Sequence, residues 1–141
     1  MRRYLIDTAP LAALLQGRPR AATLMRPWLL GHEAATSVLA FAEVTEYLSG
    51  FPDAAQRQDT LRVLLREVTP YFLTYPILER YTEIRRQLRP PHGPGLIGDI
   101  DTLIAATALE RRLTVVTVDA DFQRVPGLEV LLLPRAELRQ R

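Results

Sequence analysis

The sequence contains no cysteine and no lysine, and its only histidines are His32 and His92. The absence of cysteine excludes disulfide bonds, thiol nucleophiles and thiolate metal sites. The absence of lysine excludes Schiff-base catalysis, a P-loop lysine, and the lysine that receiver domains and haloacid-type phosphatases use. Both histidines fall in predicted loops, where we expect ordinary surface residues and no zinc site. The chemistry of this chain must therefore come mainly from carboxylates, hydroxyls and arginines.

Long apolar runs are also missing. No stretch approaches the roughly 18 to 20 apolar residues that a membrane-spanning helix needs. Arg2 and Arg3 precede the apolar residues 4–6 and resemble the charged start of a signal peptide, but Asp7 and Pro10 interrupt that pattern. We therefore expect no signal peptide, no membrane contact and a cytoplasmic location.

The 141 residues suit one domain over 1–141, and the composition is that of an ordinary folded chain, with 48% hydrophobic and 24% charged residues. All 18 basic residues are arginine, and the formal net charge is +2. That balance permits an anionic partner without requiring one. The Pro- and Gly-rich residues 90–95 read as a loop between two helices, not as a domain boundary.

Apolar and β-branched runs alternate with helical patterns along the chain. Strands are predicted over 4–6, 34–39, 71–73, 114–118 and 129–133. Helices are predicted from Thr8 onward, with Thr8 as the cap, and over 21–30, 41–48, 53–68, 76–88 and 101–111. This alternation is typical of an α/β fold, in which helices cover both faces of a parallel sheet of four to five strands. Such sheets bind ligands beyond the carboxyl ends of their strands.

Carboxylates occur at that edge of the predicted sheet. Asp7 ends the first strand, and Asp119 follows the strand over 114–118. Glu43 follows the second strand, and Asp101 opens a helix of small apolar residues that suits the centre of the fold. Taken singly, each acid could be a helix cap, a turn former or a surface residue. Together they predict one acidic cleft.

Four carboxylates in one cleft repel one another, so they need either protons or a cation. A hard divalent ion bound through oxygen suits this set, with Mg²⁺ the first candidate and Mn²⁺ the substitute. Such a site supports phosphoryl transfer or phosphodiester hydrolysis, because the ion activates water and neutralises charge on the phosphate.

Four segments carry a more specific pattern. They are YLIDT at 4–8, SVLAFAE at 37–43, DTLIAATA at 101–108, and VTVDADF at 116–122 followed by VPGL at 125–128. In this order they resemble the PIN-domain family, and specifically the VapC-type toxin ribonucleases of bacterial type II toxin–antitoxin modules. The resemblance covers nearly the whole chain. It implies a PIN-like three-layer α/β/α fold and a Mg²⁺-dependent endoribonuclease.

The resemblance also implies roles for the acids. Asp7 and Asp101 would be the principal metal ligands, and Glu43 and Asp119 would complete the catalytic site and help to place the attacking water. Two alternatives stay open. Asp99 lies two residues before Asp101 and could take its role. Asp121 could share or take the fourth role, because many family members carry Asn at the position of Asp119 and an Asp further along.

The implied partners are an RNA substrate, a cognate antitoxin bound in a groove of the helices over 41–48 and 53–68, and a second copy of the chain in a homodimer. Beside the acids, Thr8 and Thr117 could each hold a ligand carboxylate or fill a structural role. Arginines on two helices are candidates for RNA phosphates: Arg57, Arg62, Arg66, Arg85, Arg86 and Arg89. The rival functions are an RNA-processing PIN-like nuclease without an antitoxin and a catalytically silent PIN-like binding module.

Overall fold

The computed structural model describes residues 1–140 and has a parallel sheet of five strands at its centre. The strands are β1 (Tyr4–Ile6), β2 (Ala34–Ser37), β3 (Thr69–Tyr71), β4 (Thr114–Thr117) and β5 (Val130–Leu132). The helices are α1 (Thr8–Leu15), α2 (Pro19–Leu30), α3 (Val38–Leu48), α4 (Ala54–Leu64), α5 (Tyr75–Leu88), α6 (Asp99–Arg111) and α7 (Arg135–Arg139). A 3-10 helix over Ala120–Arg124 follows β4.

The sheet order is β3-β2-β1-β4-β5, so β1 lies in the middle and pairs with β2 on one side and β4 on the other. The chain first moves outward from β1 to β3 and then crosses back to add β4 on the opposite side. The direction of winding therefore changes between β1 and β4. In open parallel sheets this switch point leaves a crevice at the carboxyl ends of the strands, where ligands bind.

Two apolar cores cover the two faces of the sheet. Leu5 and Val115 pack in one core with residues of α5 and α6. Ile6 and Val116, each one position further along, pack in the other core with residues of α1 to α4 and α7. Adjacent strand residues point to opposite faces, and burial on both faces explains why these strands are apolar throughout. The predicted α/β/α fold class is confirmed.

Some predicted boundaries are wrong by a few residues. The strand predicted over 34–39 ends at Ser37, because the Ser37 hydroxyl accepts a hydrogen bond from the Leu39 amide (3.1 Å) and caps α3 from Val38 onward. The predicted helix over 53–68 ends at Leu64, and the strand placed at 71–73 is Thr69–Tyr71. There the amide of the fully buried Val68 donates a hydrogen bond to the Leu64 carbonyl. The turn that this bond closes leads into β3, which pairs with β2.

Two helices near the end of the chain also differ from what the sequence predicts. The short helix α7 was not predicted, because five residues show too little periodicity to reveal a helix. Helix α6 begins at Asp99 and not at Asp101, with Gly98 at its N-cap position. Over residues 1–140, no helix combines the length and the apolar character that crossing a membrane requires.

Candidate active site

A cleft of about 450 Å³ opens at the carboxyl edge of the sheet, beside the switch point. Its lining includes all four acids that the sequence placed at this edge: Asp7, Glu43, Asp101 and Asp119. Asp7 follows β1, Glu43 lies on α3, Asp101 lies in the first turn of α6, and Asp119 follows β4. The fold therefore brings together side chains that are up to 112 positions apart in the sequence.

Asp7 is the most deeply buried of these acids, with an exposed fraction of 7%. Its Oδ2 accepts a hydrogen bond of 2.7 Å from the Thr117 hydroxyl. Burial raises the pKa of Asp7, the nearby charges of Glu43 and Asp119 raise it further, and the hydrogen bond from Thr117 opposes the rise. A carboxylate held here in its ionised form is thus costly unless a cation offsets its charge.

Thr117 connects two of the acids. This side chain at the end of β4 is fully buried. Its hydroxyl donates to Asp7 and accepts a hydrogen bond of 3.0 Å from the Asp119 amide. Asp119 Oδ1 in turn accepts from the Asp121 amide (2.9 Å) and caps the 3-10 helix. Thr117 therefore fixes both the side chain of Asp7 and the backbone that carries Asp119.

Glu43 has an equivalent threonine partner, which lies at the start of α1. The Thr8 hydroxyl donates a hydrogen bond of 2.7 Å to Glu43 Oε1. The expectation that Thr8 caps α1 is wrong: Asp7 occupies the N-cap position, and Thr8 is the first helical residue. With its hydroxyl free of a capping role, Thr8 orients Glu43 toward the cleft, so both threonines next to acids hold acidic side chains.

Asp101 is the acid whose pKa the other carboxylates of the site raise most clearly. The pKa of Asp101 is raised to about 6, first by partial burial and then by repulsion from Asp7, Asp119, Glu43 and Asp121, in that order. Three of these four groups line the same cleft. Asp101 therefore ionises at a pH at which an isolated aspartate is already fully charged.

The two alternative acids lie differently. Asp99 accepts hydrogen bonds from Arg85 (2.7 Å) and from the Tyr81 hydroxyl (3.2 Å), and its side chain is 71% exposed. It does not line the cleft. Asp121 forms an ion pair of 3.3 Å with Arg124, and its charge still reaches Asp101. The geometry thus separates Asp99 from the acidic cluster and leaves Asp121 at its margin.

The donor chemistry of the cleft fits a hard divalent cation. The four carboxylates and the Thr8 hydroxyl supply oxygen ligands in this cleft, and a cation would relieve the repulsion that raises the pKa of Asp101. Within residues 1–140, no three Asp, Glu or His side chains are already arranged as a complete set of metal ligands. Mg²⁺ does not need one, because it binds through one or two carboxylates and keeps several of its waters.

Sequence reasoning missed part of the cleft lining. The missed polar and aromatic residues are Gln16, Arg18, Tyr47, Arg135 and Arg139. Tyr47 lies four residues after Glu43 on α3, a spacing that places both side chains on one helix face, so the sequence did contain a signal for it. The two arginines of α7 carried no such signal, because the helix itself was not predicted.

Of the six predicted RNA-binding arginines, two form ion pairs, two line a depression away from the acidic cleft, and Arg62 and Arg66 are simply exposed. Arg57 pairs with Asp53 (2.7 Å) and Arg85 with Asp99. Arg86 and Arg89 line a separate depression together with His92. Both histidines are exposed, and neither lines the acidic cleft.

Replacing Thr117 by valine is expected to lower the free energy of unfolding by about 1 to 3 kcal/mol at pH 8 without metal, because the buried Asp7 carboxylate loses its donor. The loss should shrink toward pH 5. The pKa of folded Asp7 lies above its unfolded value, and the substitution raises it further, so the folded variant gains protons and stability as the pH falls. Urea denaturation of the wild type and the variant in EDTA, at pH 8 and at pH 5, measures this difference in the free energy of unfolding.

Thr107→Val is the matched control. Thr107 is also fully buried, but its hydroxyl donates to the Leu103 carbonyl of its own helix (2.8 Å). Its effect should not depend on pH. An equal and pH-independent loss in both variants would show that Thr117 does not hold a charged Asp7.

Comparisons with known proteins agree with this architecture. The sequence matches the PIN-domain family over residues 4–128, whereas a search of curated protein sequences gives no match. Among solved structures, VapBC2 of Rickettsia felis, bound to a promoter DNA fragment, has a TM-score of 0.80 at 22% identity, covering 92% of this chain and 98% of that one.

Two further structures have the same fold. DNA-bound VapBC of Salmonella typhimurium has a TM-score of 0.81 at 17% identity, covering 93% of this chain and 98% of that one. VapBC-1 of nontypeable Haemophilus influenzae has a TM-score of 0.77 at 23% identity, covering 92% and 96%. At these identities the structural matches establish the fold, and the sequence match over most of the chain establishes the family. The chain belongs to the PIN-domain family.

Proposed function

We propose that this protein is a metal-dependent endoribonuclease and the toxin of a type II toxin–antitoxin module, acting in the cytoplasm. The observation that carries the proposal is the convergence of Asp7, Glu43, Asp101 and Asp119 in one cleft at the switch point of the sheet. The structural relatives support the toxin assignment, since they include VapBC proteins and a toxin–antitoxin complex of Klebsiella pneumoniae.

Asp7 and Asp101 would hold the divalent ion, with Mg²⁺ as the expected ion and Mn²⁺ as a substitute. When bound, the ion supplies a nucleophilic water at neutral pH and neutralises charge that develops on the phosphate. Because the pKa of Asp101 is raised to about 6, this side chain loses its proton as the pH rises toward neutral and can then bind a cation as a carboxylate. Binding of the ion and loss of this proton are therefore coupled.

The other residues hold the acids in place. Thr117 fixes the carboxylate of Asp7, and Thr8 fixes that of Glu43. Glu43 and Asp119 then orient the attacking water beside the phosphodiester. Hydrolysis adds the water oxygen to phosphorus and releases the 3′ oxygen with a proton, so the products carry a 5′-phosphate and a 3′-hydroxyl.

The proposed protein partner is a cognate antitoxin, bound along α3 and α4. Tyr47 on α3 and Val63 on α4 are large apolar side chains that are about half exposed, at 51% and 56%. Exposed apolar side chains on neighbouring helices suit an amphipathic partner helix. From the resemblance of the sequence to VapC-type toxins, we also propose that the chain forms a homodimer.

The test is cleavage of labelled RNAs by purified, antitoxin-free protein in Mg²⁺, in Mn²⁺ and in excess EDTA. We expect cutting in both metals, none in EDTA, and recovery when Mg²⁺ is restored in excess. Digestion of the products by a 5′-phosphate-dependent exonuclease checks the predicted ends. Cutting that persists in EDTA would contradict the metal dependence. Failure of the folded protein to cut any RNA would contradict the nuclease assignment and favour a silent binding module.

A further inference from the structure

The cleft that holds the four carboxylates also contains positive charge. Arg18, Arg135 and Arg139 line it together with the acids. Arg18 occupies the N-cap position of α2, and the other two lie on α7. One cavity therefore combines an acidic floor, built by the strand ends and by α3 and α6, with three arginines from elements next to it.

Within residues 1–140, none of these three arginines forms an ion pair with an acid. The ion pairs found within residues 1–140 belong to five other arginines: Arg3, Arg57, Arg80, Arg85 and Arg124. A guanidinium group stays charged at every physiological pH and presents a planar set of donors that matches a phosphate. Arg18, Arg135 and Arg139 therefore offer three guanidinium groups that could bind phosphate beside the acids.

Helix α7 is fixed on the fold, which gives its arginines a defined direction. Leu138 is only 8% exposed and packs in the core that α1 and α2 also build. Arg20 on α2 donates a hydrogen bond of 3.1 Å to Gln140 just beyond the helix. Arg135 and Arg139 are four residues apart, so their side chains emerge one above the other on one face of the helix.

The two arginines of α7 lie outside the part of the chain that matches the family model. The match to the PIN-domain family ends at residue 128, and α7 spans Arg135–Arg139. The four acids lie inside the matched region, and the arginines of α7 lie outside it. The match to the family therefore does not itself account for the arginines of α7.

We propose that Arg18, Arg135 and Arg139 bind the RNA phosphates next to the bond that is cut, so that α7 is a substrate-binding element. The inference rests on the proposed ribonuclease function. Carboxylates repel a polyanion, and a cation offsets that repulsion only at the scissile phosphate. The arginines attract the neighbouring phosphates and hold the strand across the cleft. They contact the backbone only, so they add affinity that does not depend on base sequence.

The first experiment measures RNA binding without cleavage. Arg135→Gln/Arg139→Gln is introduced into an Asp101→Asn chain, and binding of a short fluorescein-labelled single-stranded RNA is followed by anisotropy over a range of KCl concentrations. Each lost phosphate contact should reduce the slope of log K against log salt by about 0.7, so the pair should reduce it by about 1.4. Affinity at moderate salt should fall about tenfold or more.

Two comparison variants make the result specific. Arg26→Gln/Arg112→Gln removes the same charge from exposed residues that do not line the cleft, and it should leave the slope unchanged. Arg135→Lys/Arg139→Lys keeps the charge and should retain most of the slope, while losing affinity because lysine cannot form the bidentate contact. Equal slopes in the parent and in Arg135→Gln/Arg139→Gln would overturn the inference, and so would an equal loss in the Arg26/Arg112 pair.

A cleavage assay separates this inference from the proposed function. In the chain with Asp101 intact, Arg135→Gln/Arg139→Gln should raise KM for RNA about tenfold or more with a smaller change in kcat. Metal-dependent cutting with an unchanged KM would reject the role of α7 and leave the ribonuclease assignment standing. If the wild-type chain cut no RNA, the ribonuclease assignment itself would fail. Both arginines are exposed, so circular dichroism and the urea midpoint should match those of the parent.

Discussion

Asp101→Asn is expected to reduce metal-dependent RNA cleavage by about a thousandfold or more. The substitution removes one of the two proposed metal ligands, and metal-based stabilisation of the transition state contributes several kcal/mol. Each 1.4 kcal/mol corresponds to about a factor of ten in rate. The side chain keeps its shape, so the fold should be intact. Cleavage under single-turnover conditions, with wild-type protein prepared in parallel, measures the loss.

Asp99→Asn is the matched control, because Asp99 lies two positions earlier on the same helix and outside the cleft. Its partners are Arg85 and Tyr81, so the variant should retain nearly all activity. If Asp99→Asn abolished cutting while Asp101→Asn preserved it, the assignment of the third acid would be wrong.

The same Asp101→Asn variant has a second readout that does not involve activity. In EDTA at pH 8 it should be more stable than the wild type, because it lacks a carboxylate that its neighbours repel. The folded pKa of about 6 exceeds the unfolded value, so the wild type gains stability as the pH falls from 6 toward 4. The advantage of the variant should therefore disappear over this interval.

The largest loss of stability is expected from Phe122→Ala, at about 3 to 5 kcal/mol. Phe122 is fully buried and packs in the core with Leu88, Ile97 and Val125. Its side chain also anchors the 3-10 helix that Asp119 caps. The variant should therefore lose cleavage activity as well as stability, because the segment that positions Asp119 loses its attachment. Urea denaturation and cleavage under folding conditions measure the two effects.

Leu61→Ala separates these two effects. Leu61 is equally buried but lies on α4, in the core on the opposite face of the sheet. It should lose a similar amount of stability, about 2 to 5 kcal/mol, and keep its activity wherever it remains folded. Equal losses of activity in both variants would mean that Phe122 affects cleavage only through global stability.

The sequence predicted the fold and the cluster of acids because both follow from local patterns. Apolar strands such as Tyr4–Ile6 and Thr114–Thr117 are visible as short runs, and the acids that follow them must share an edge if the strands are parallel. The convergence of Asp7 and Asp119 needed no knowledge of tertiary packing. The catalytic and metal-binding roles of these residues remain predictions until the variants are measured.

What the sequence could not supply depends on contacts between distant segments. The hydroxyl of Thr8 has one local use, as a cap, and one distant use, as a donor to Glu43, and only the folded chain shows which applies. Asp99 and Asp101 are equivalent in a one-dimensional pattern, and the turn of α6 separates them. The arginines of α7 reach the cleft through packing of Leu138.

The strand order has a consequence for synthesis of the protein. The central strand β1 pairs with β4 through residues such as Leu5 and Val115, so the sheet edge that brings Asp7 and Asp119 together forms only after residue 119 has been synthesised. Helix α7 follows later still. A nascent chain on the ribosome therefore carries isolated acids and no assembled cleft. Under the proposed ribonuclease function, the emerging chain therefore has no complete active site until Asp119 has left the ribosome.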